Sequence, residues 1–145
     1  MIADRYIWQV ATVVVALLLS QSAAHANGPT VAARILSCYD GDTCTVDRYI
    51  LPGRNRVRLR NADTAEIEAH CAAEKRLALQ AKAFTSRLVG KVVTLGDVQV
   101  DKYAKRVDAF VIMPDGRDLR QALIAAGLAR PLQRRSPCRM VRAVD

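Results

Sequence analysis

The order of the predicted secondary-structure elements constrains the fold of this chain more than any other feature. Three β-rich runs come first, at residues 31–38, 43–51 and 54–61. The first two are joined by an Asp40-Gly41 turn, and a Pro52-Gly53 turn leads into the third. Short turns between consecutive β-rich runs predict a three-stranded meander.

A long helix is predicted after this meander, because the hydrophobic period changes beyond Glu66. Apolar residues recur at steps of three and four at Ala73, Leu77, Ala81, Phe84 and Leu88. This spacing predicts about five helical turns, with Gly90 just beyond the end. Residues 92–100 and 106–113 then favour two strands, and residues 119–126 favour a short helix that stops at Gly127.

These elements predict a mainly β domain with helices, in the α+β class. Five strands with one long helix after the third and a short C-terminal helix are typical of a five-stranded OB-fold β-barrel. The 145 residues leave room for one such domain. We expect its core at about residues 31–132, followed by a basic C-terminal tail at residues 133–145.

The first 26 residues are predicted to be a signal peptide. Arg5 precedes an apolar run from about Val10 to Leu19, and Ala24-His25-Ala26 forms an A-x-A cleavage pattern. An uncleaved membrane anchor is the alternative, since Asp4 also precedes the run. The run is nevertheless shorter than the roughly 20 residues of a membrane-spanning helix. We therefore expect cleavage near Ala26, a mature domain at residues 27–145 without a membrane span, and a periplasmic or extracellular location.

The net charge favours a polyanionic partner. The chain carries a formal charge of +8, and lysines and arginines bind nucleic acid partly by releasing its condensed counterions. The charge alone also fits a binder of anionic surfaces or a soluble secreted protein. No feature of the sequence implies a stable protein partner, and we expect a monomer.

Four cysteines lie in the predicted mature domain: Cys38, Cys44, Cys71 and Cys138. An even count and export together predict disulfides. Cys38 and Cys44 flank the Asp40-Gly41 turn and could close across a hairpin, which would leave Cys71 for Cys138, although four cysteines allow three pairings. A zinc site is disfavoured, because no C-x2-C pair is present and His70 is the only histidine of the domain.

Two acidic segments, Asp40-Gly41-Asp42-Thr43 and Asp63-Thr64-Ala65-Glu66, flank an arginine-rich strand in the sequence. In this strand, residues 56–60, Val57 and Leu59 alternate with three arginines, so one face packs inward and the other presents guanidinium groups. Carboxylates beside cations are what a site for a hard metal and a phosphate ester requires.

The acidic segments belong to an ordered set that also contains Val57-Arg58-Leu59, Asp101-Lys102-Tyr103 and Gly127-Leu128-Ala129. In this order and rough spacing, the set resembles staphylococcal nuclease-like (thermonuclease) domains over about residues 31–132. The resemblance implies an OB-fold nuclease that binds DNA, with RNA as a second candidate substrate, and that uses one calcium ion.

The resemblance also implies roles for individual residues. Asp42 and Asp63 would be carboxylate ligands of the calcium ion, and the backbone carbonyl of Thr64 would be a third. Glu66 would orient or deprotonate the attacking water, and Arg58 would pair with the phosphate. A second arginine would follow the Asp-Lys-Tyr segment.

That second position is ambiguous in this sequence. The family's Asp-Lys-Tyr-Gly-Arg is replaced by Asp101-Lys102-Tyr103-Ala104-Lys105-Arg106, so either Lys105 or Arg106 fills the position. We favour Arg106, because Val107, Ala109 and Val111 then continue as one strand face. Lys102, Tyr103 and Lys105 are candidate substrate-binding residues.

Other departures bear on activity. Ala65 stands where the family has proline, and Ala104 stands where it has glycine, which would be strained at a positive φ. The sequence offers no explanation for Asp108 in the middle of a strand. Base stacking is expected to be weak, since the segment after Gly127-Leu128-Ala129 has no tyrosines and only Tyr39, Tyr49 and Tyr103 remain in the domain.

Each motif also has a purely structural interpretation. Asp40-Gly41 is a common hairpin turn, the arginines could form a solvated strand face, and Glu66 could lie in the first turn of the following helix. A non-catalytic OB module that binds nucleic acid or another polyanion is therefore the alternative to a nuclease. A basic secreted factor acting on anionic envelopes is a third hypothesis.

Overall fold

Alternating apolar residues on five strands close into a barrel in the computed structural model, which describes residues 29–131. The predicted signal peptide and the whole predicted tail, with Cys138, lie outside the described residues. The elements in chain order are β1 (Val31–Cys38), β2 (Thr43–Val46), β3 (Arg56–Leu59), β4 (Asp63–Thr64), α1 (Ala72–Ser86), β5 (Val92–Val100), β6 (Val107–Ile112), α2 (Leu119–Ala125) and β7 (Ala129–Arg130).

The barrel has the strand order β1-β2-β3-β6-β5, and β5 pairs with β1 to close it. All neighbouring pairs are antiparallel except β3 and β6, which run parallel with Val57 opposite Val107 and Arg58 opposite Asp108. The short strands β4 and β7 form a separate two-stranded sheet. The predicted OB-type barrel, with a long helix after the third strand and a short helix near the end, is confirmed.

The inward faces of the strands form the barrel core, as the period-2 alternation predicts. On β6, Val107, Ala109 and Val111 are buried, whereas Asp108 and Phe110 point outward. The predicted strand face of β6 is therefore confirmed.

Two strands and the long helix are shorter than predicted. β2 ends at Val46 instead of Leu51, because the following residues bond within their own turn, where Arg54 donates to the Leu51 carbonyl at 2.8 Å. The third strand covers only Arg56–Leu59. The helix ends at Ser86 after about four turns, because Leu88 and Val89 donate to carbonyls three residues back, in a tighter turn.

The buried face of α1 follows the predicted apolar positions only in part, because Ala81 is buried as predicted but the other buried residues of the helix are different ones. Its buried residues are Glu74, Ala78, Ala81 and Thr85, whereas Leu77 and Phe84 are half-buried. Small residues are needed because the helix lies directly against the β1–β2 loop. A Cβ added to Gly41 would lie 2.6 Å from Cβ of Ala81. The close approach of the β1–β2 loop to α1 therefore determines which face of the helix is buried. The spacing of apolar residues alone does not show this contact.

A disulfide joins Cys38 and Cys44, which face each other across β1 and β2. This predicted pairing is confirmed. Cys71 is disulfide-bonded as well, and its predicted partner lies beyond residue 131. Within residues 29–131, every helix is too short or too polar to cross a membrane.

Candidate active site

The loop between β1 and β2 holds the first acidic segment in a fixed conformation. The backbone N–H of Asp42 donates to Oδ1 of Asp40 at 3.0 Å, and the Asp42 carbonyl accepts from the backbone N–H of Leu59 at 2.7 Å. The Thr85 hydroxyl on α1 donates to the Gly41 carbonyl at 2.7 Å. The loop is thus attached to both β3 and α1, and the Cys38–Cys44 disulfide closes its base.

The Asp42 carboxylate is buried at the centre of this arrangement, with 7% of the residue exposed. The Thr43 hydroxyl donates to its Oδ1 at 2.9 Å, and Nη2 of Arg58 lies 3.7 Å from its Oδ2. Burial, together with the negative charge of Asp40, raises the pKa of Asp42 from 3.8 to about 6, although Arg58 opposes the shift. Asp42 is therefore a buried carboxylate whose charge is only partly compensated.

The second acidic segment lies beside the first. Asp63 and Thr64 form β4, in which Thr64 is buried and Asp63 half-buried, and Glu66 is exposed shortly after it. Partial burial raises the pKa of Glu66, the charges of Asp40, Asp63 and Glu74 raise it further, and Arg58 opposes them. Both predicted acidic segments therefore lie within electrostatic reach of Arg58.

The described residues contain no group of three or more histidine, cysteine, aspartate or glutamate side chains that could hold a metal ion. The predicted ligand set has only two such side chains, Asp42 and Asp63, and a backbone carbonyl, that of Thr64. All of its donors are oxygens, which suit a hard cation such as Ca²⁺. The buried, under-compensated charge of Asp42 fits a cation in the same way, with water and phosphate oxygens left to complete the coordination.

A basic groove of about 320 Å³ adjoins the acidic cluster. Its lining includes Arg58, Arg60, Lys102, Tyr103, Arg106 and Asp108. Arg58 is common to both features, because it lies near Asp42 and also lines the groove. Arg58 therefore connects the acidic cluster with a groove whose lining contains further cations as well as the carboxylates of Asp101 and Asp108.

Arg106 is oriented by Asp101 at the wall of this groove. Its Nε donates to Oδ2 of Asp101 at 3.1 Å, and Oδ1 of Asp101 accepts the backbone N–H groups of Lys105 and Arg106 at 3.0 and 3.2 Å. Burial of Asp101 acts against its ionisation, but these hydrogen bonds lower the pKa of its carboxyl group. Lys105 is exposed and, among the described residues, is not part of the groove lining.

The sequence from β3 onward matches the family model described as Staphylococcal nuclease homologue, over residues 56–142. This match covers more than half of the chain. The chain belongs to the staphylococcal nuclease homologue family. No curated protein matches it. The matched region contains Arg58, Asp63, Glu66 and Arg106, whereas β1, β2 and the Asp40–Asp42 loop lie before it and complete the barrel of this family member.

The Asp101–Arg106 loop of this staphylococcal nuclease homologue contains a strained residue. Ala104 has a φ of +57°, a left-handed conformation that costs a non-glycine residue roughly 1 to 2 kcal/mol. Its carbonyl accepts from Nε of Arg54 at 2.8 Å and its N–H donates to the Asp101 carbonyl at 2.9 Å. The sequence-based concern about an alanine in place of glycine was thus correct for the backbone.

Ala104→Gly is expected to raise the free energy of unfolding by about 1 kcal/mol, because glycine adopts positive φ without a steric penalty. Urea denaturation should show a higher midpoint with an unchanged slope. Ala125→Gly is the matched control, since this exposed alanine is helical in α2 and the same change should lower stability by about 0.5 to 1 kcal/mol. If Ala104→Gly and Ala125→Gly lowered the free energy of unfolding equally, the conclusion that Ala104 is strained would be contradicted.

Asp108 lies on the outward face of β6, opposite Arg58 on β3 and Gln99 on β5. Its Oδ1 is buried, and within residues 29–131 it has no hydrogen-bond partner. It therefore adds a second carboxylate, besides that of Asp101, to the wall of the groove.

Sequence reasoning missed two parts of the site. Thr85, which fixes the Gly41 carbonyl, gave only one signal, its place four residues after Ala81 on the same helical face. The second is an ion pair between Arg60 and Asp97, in which Nη2 of Arg60 also donates to the Gln99 side chain at 3.0 Å. This network joins residues that are distant in the sequence and meet through the folding of the strands, so no local sequence pattern indicates it.

Proposed function

We propose that this protein is a secreted, calcium-dependent nuclease that hydrolyses phosphodiester bonds of DNA with little sequence preference, and that RNA is a second candidate substrate. The position of Arg58 carries the proposal. It lies between a buried carboxylate, 3.7 Å away, and a groove lined by further cations. A phosphodiester bound at Arg58 would have its negative charge in the groove and an acidic, metal-compatible cluster beside it.

Asp42, Asp63 and the Thr64 carbonyl would hold the calcium ion, which when bound would neutralise and polarise the phosphate. Arg58 and Arg106 would pair with phosphate oxygens as charge builds there, because planar guanidinium groups can hold two oxygens at once. Lys102 and Tyr103 would hold the neighbouring part of the strand in the groove.

Glu66 would accept the proton of the attacking water. The water oxygen forms a bond to phosphorus, the bond from phosphorus to the leaving oxygen breaks, and the leaving oxygen takes a proton from solvent. The raised pKa of Glu66 suits this role, since a general base works best when its pKa approaches the working pH. Its exposure leaves the carboxylate accessible to water.

Export is supported by the Cys38–Cys44 disulfide, which is typical of an oxidising compartment. We therefore retain cleavage near Ala26, a nuclease domain at residues 27–145 and a periplasmic or extracellular location as part of the proposal.

A catalytically impaired OB module that binds nucleic acid is the second candidate. It is favoured by the strain at Ala104 in the loop that presents Arg106 and by the negative charge of Asp108 at the groove. The nuclease and the non-catalytic module would both bind DNA in a salt-sensitive way, so a binding measurement alone does not distinguish the two candidate functions.

The proposal is tested by incubating the oxidised protein with single-stranded and duplex DNA, in the presence of calcium or of a chelator. Fragments that require calcium are the expected result. Salt-sensitive binding without fragments in either condition would contradict the nuclease and support the binding module. Binding to anionic vesicles without binding to DNA would contradict both and support a factor acting on envelopes.

Arg106 and Lys105 are the two candidates for the second cationic group that would contact the phosphate, and their removal should affect turnover differently. Arg106→Ala should lower kcat more than about tenfold, because it removes a groove-lining group that would act on the transition state. Lys105→Ala should change kcat by less than about threefold and mainly weaken binding at low salt, since exposed cations contribute screened, long-range attraction. The reverse order of the two kcat values would assign the role to Lys105.

A further inference from the structure

Tyr39 presents an exposed aromatic ring directly beside the acidic loop. It precedes Asp40 and follows Cys38, whose sulfur is held in the disulfide, and its backbone N–H donates to the Thr43 carbonyl at 2.9 Å. The backbone on both sides of the ring is therefore anchored. The residue is nevertheless 55% exposed, which leaves much of the ring open to a ligand.

Arg56 packs against this ring from the outward face of β3. Its guanidinium carbon lies 5.9 Å from the centroid of the Tyr39 ring, within the range of a cation–π contact. Arg56 is exposed, and two residues along the same strand face comes Arg58. Two residues of extended strand cover about 7 Å, so the ring and its arginine lie next to the position proposed for the reacting phosphate.

We propose that Tyr39 and Arg56 form a stacking site for one nucleobase of a single-stranded nucleic acid, on the flank of Arg58 away from the groove. The base stacks on the open part of the Tyr39 ring, and Arg56 pairs with the adjoining phosphate. This inference rests on the proposed function, because it takes the phosphate at Arg58 as the reference point. Stacking accepts every base, since each has a π-face.

A second aromatic–cation pair lies on the groove side of Arg58. Tyr103 is 61% exposed, and Nζ of Lys102 lies 4.8 Å from the centroid of its ring. The phosphate at Arg58 would thus lie between two exposed tyrosines, each beside a cation. Bases of a duplex are already stacked in the helix, so the Tyr39 site favours single strands. It would also supply the stacking that the segment after Gly127-Leu128-Ala129 does not provide.

The test measures oligonucleotide binding by fluorescence anisotropy, with the full chain in its oxidised form and Glu66→Gln present so that the DNA stays intact. Tyr39→Ala should weaken binding to a single strand about tenfold, and Tyr39→Phe should retain affinity. Tyr49→Ala is the matched control, because Tyr49 is 70% exposed in the β2–β3 turn and should leave affinity unchanged. An abasic strand of equal length should bind about tenfold less tightly and be insensitive to Tyr39→Ala.

Equal affinities of the Tyr39→Ala and Tyr49→Ala proteins for the single strand would overturn the stacking site and leave the nuclease proposal intact. A loss on Tyr39→Ala that is as large for the abasic strand would also overturn it, because no base is then involved. If the protein with Glu66 intact cleaves nothing with calcium, yet Tyr39→Ala weakens binding only to the strand with bases, the nuclease proposal fails and the stacking site stands.

Discussion

Glu66→Gln is expected to lower kcat for DNA cleavage by about two to four decades, the usual effect of removing a general base. Glutamine keeps the size and hydrogen-bonding shape of the side chain but cannot take the proton from water. DNA affinity should change by less than about threefold, or rise slightly, because a negative charge is removed beside Arg58. Steady-state cleavage assays and binding measurements on the same protein separate these two effects.

Glu68→Gln provides the matched control for this prediction. Glu68 is also exposed and lies two residues further along the same segment, so the substitution changes the net charge equally. We expect near-normal kcat in this variant. Similar losses in both variants would indicate that charge, and not proton transfer at Glu66, controls turnover. Unchanged kcat in Glu66→Gln would remove Glu66 from the mechanism.

Asp42→Asn is expected to stabilise the fold when calcium is removed by a chelator. Burial raises the pKa of Asp42 from 3.8 to about 6 in the folded state, so the folded protein binds more protons than the unfolded chain between these values. Stability therefore falls as the pH rises from about 4 to about 6. The shift of about two units corresponds to about 3 kcal/mol, which the charged Asp42 costs at neutral pH.

Urea denaturation at pH 8 should therefore give Asp42→Asn a higher free energy of unfolding by up to about 3 kcal/mol, with the difference disappearing near pH 4. Calcium should reverse the order, since a ligand that binds only the folded state stabilises the protein that binds it. A variant that is less stable at pH 8 in chelator, or whose advantage does not change with pH, would contradict the proposed cost of burying Asp42.

Asp47→Asn is expected to destabilise the fold at neutral pH, whereas Asp42→Asn is expected to stabilise it. Hydrogen bonds from the backbone of Arg34 and the side chain of Arg48 hold the pKa of Asp47 below its ordinary value. Its charge therefore contributes stability above that value, which is lost as the pH falls. Asp47→Asn should lower stability at neutral pH and have no effect in strong acid, where the carboxyl group is protonated in both states.

The order of the strands and helices could be predicted from the sequence, because each main element carries a local period. β1 and β5 have the predicted bounds, and the Cys38–Cys44 pair follows from the hairpin that it closes. The ends of β2 and α1 could not be predicted, since both depend on hydrogen bonds within turns. β4 and β7 are two residues each, too short to show any period.

The prediction of the candidate site depended more on the family resemblance than on patterns in the residues themselves. The resemblance named Asp42, Asp63, Glu66 and Arg58, and the structure places them together. The groove could not be predicted, because it requires the parallel pairing of β3 with β6. The ambiguity between Lys105 and Arg106 likewise depends on how Asp101 bonds to this loop, which spacing does not encode.

The candidate site can form only after β6 has paired in parallel with β3. Arg58 and Arg106 are far apart in the sequence and meet only when β6 has docked beside β3 and the barrel has closed. Such non-local contacts form late, because the entropy of closing a long loop must be overcome first. An unfolded chain therefore carries every proposed catalytic residue but no assembled groove, so a nuclease of this design would be harmless to nucleic acid until its folding is complete.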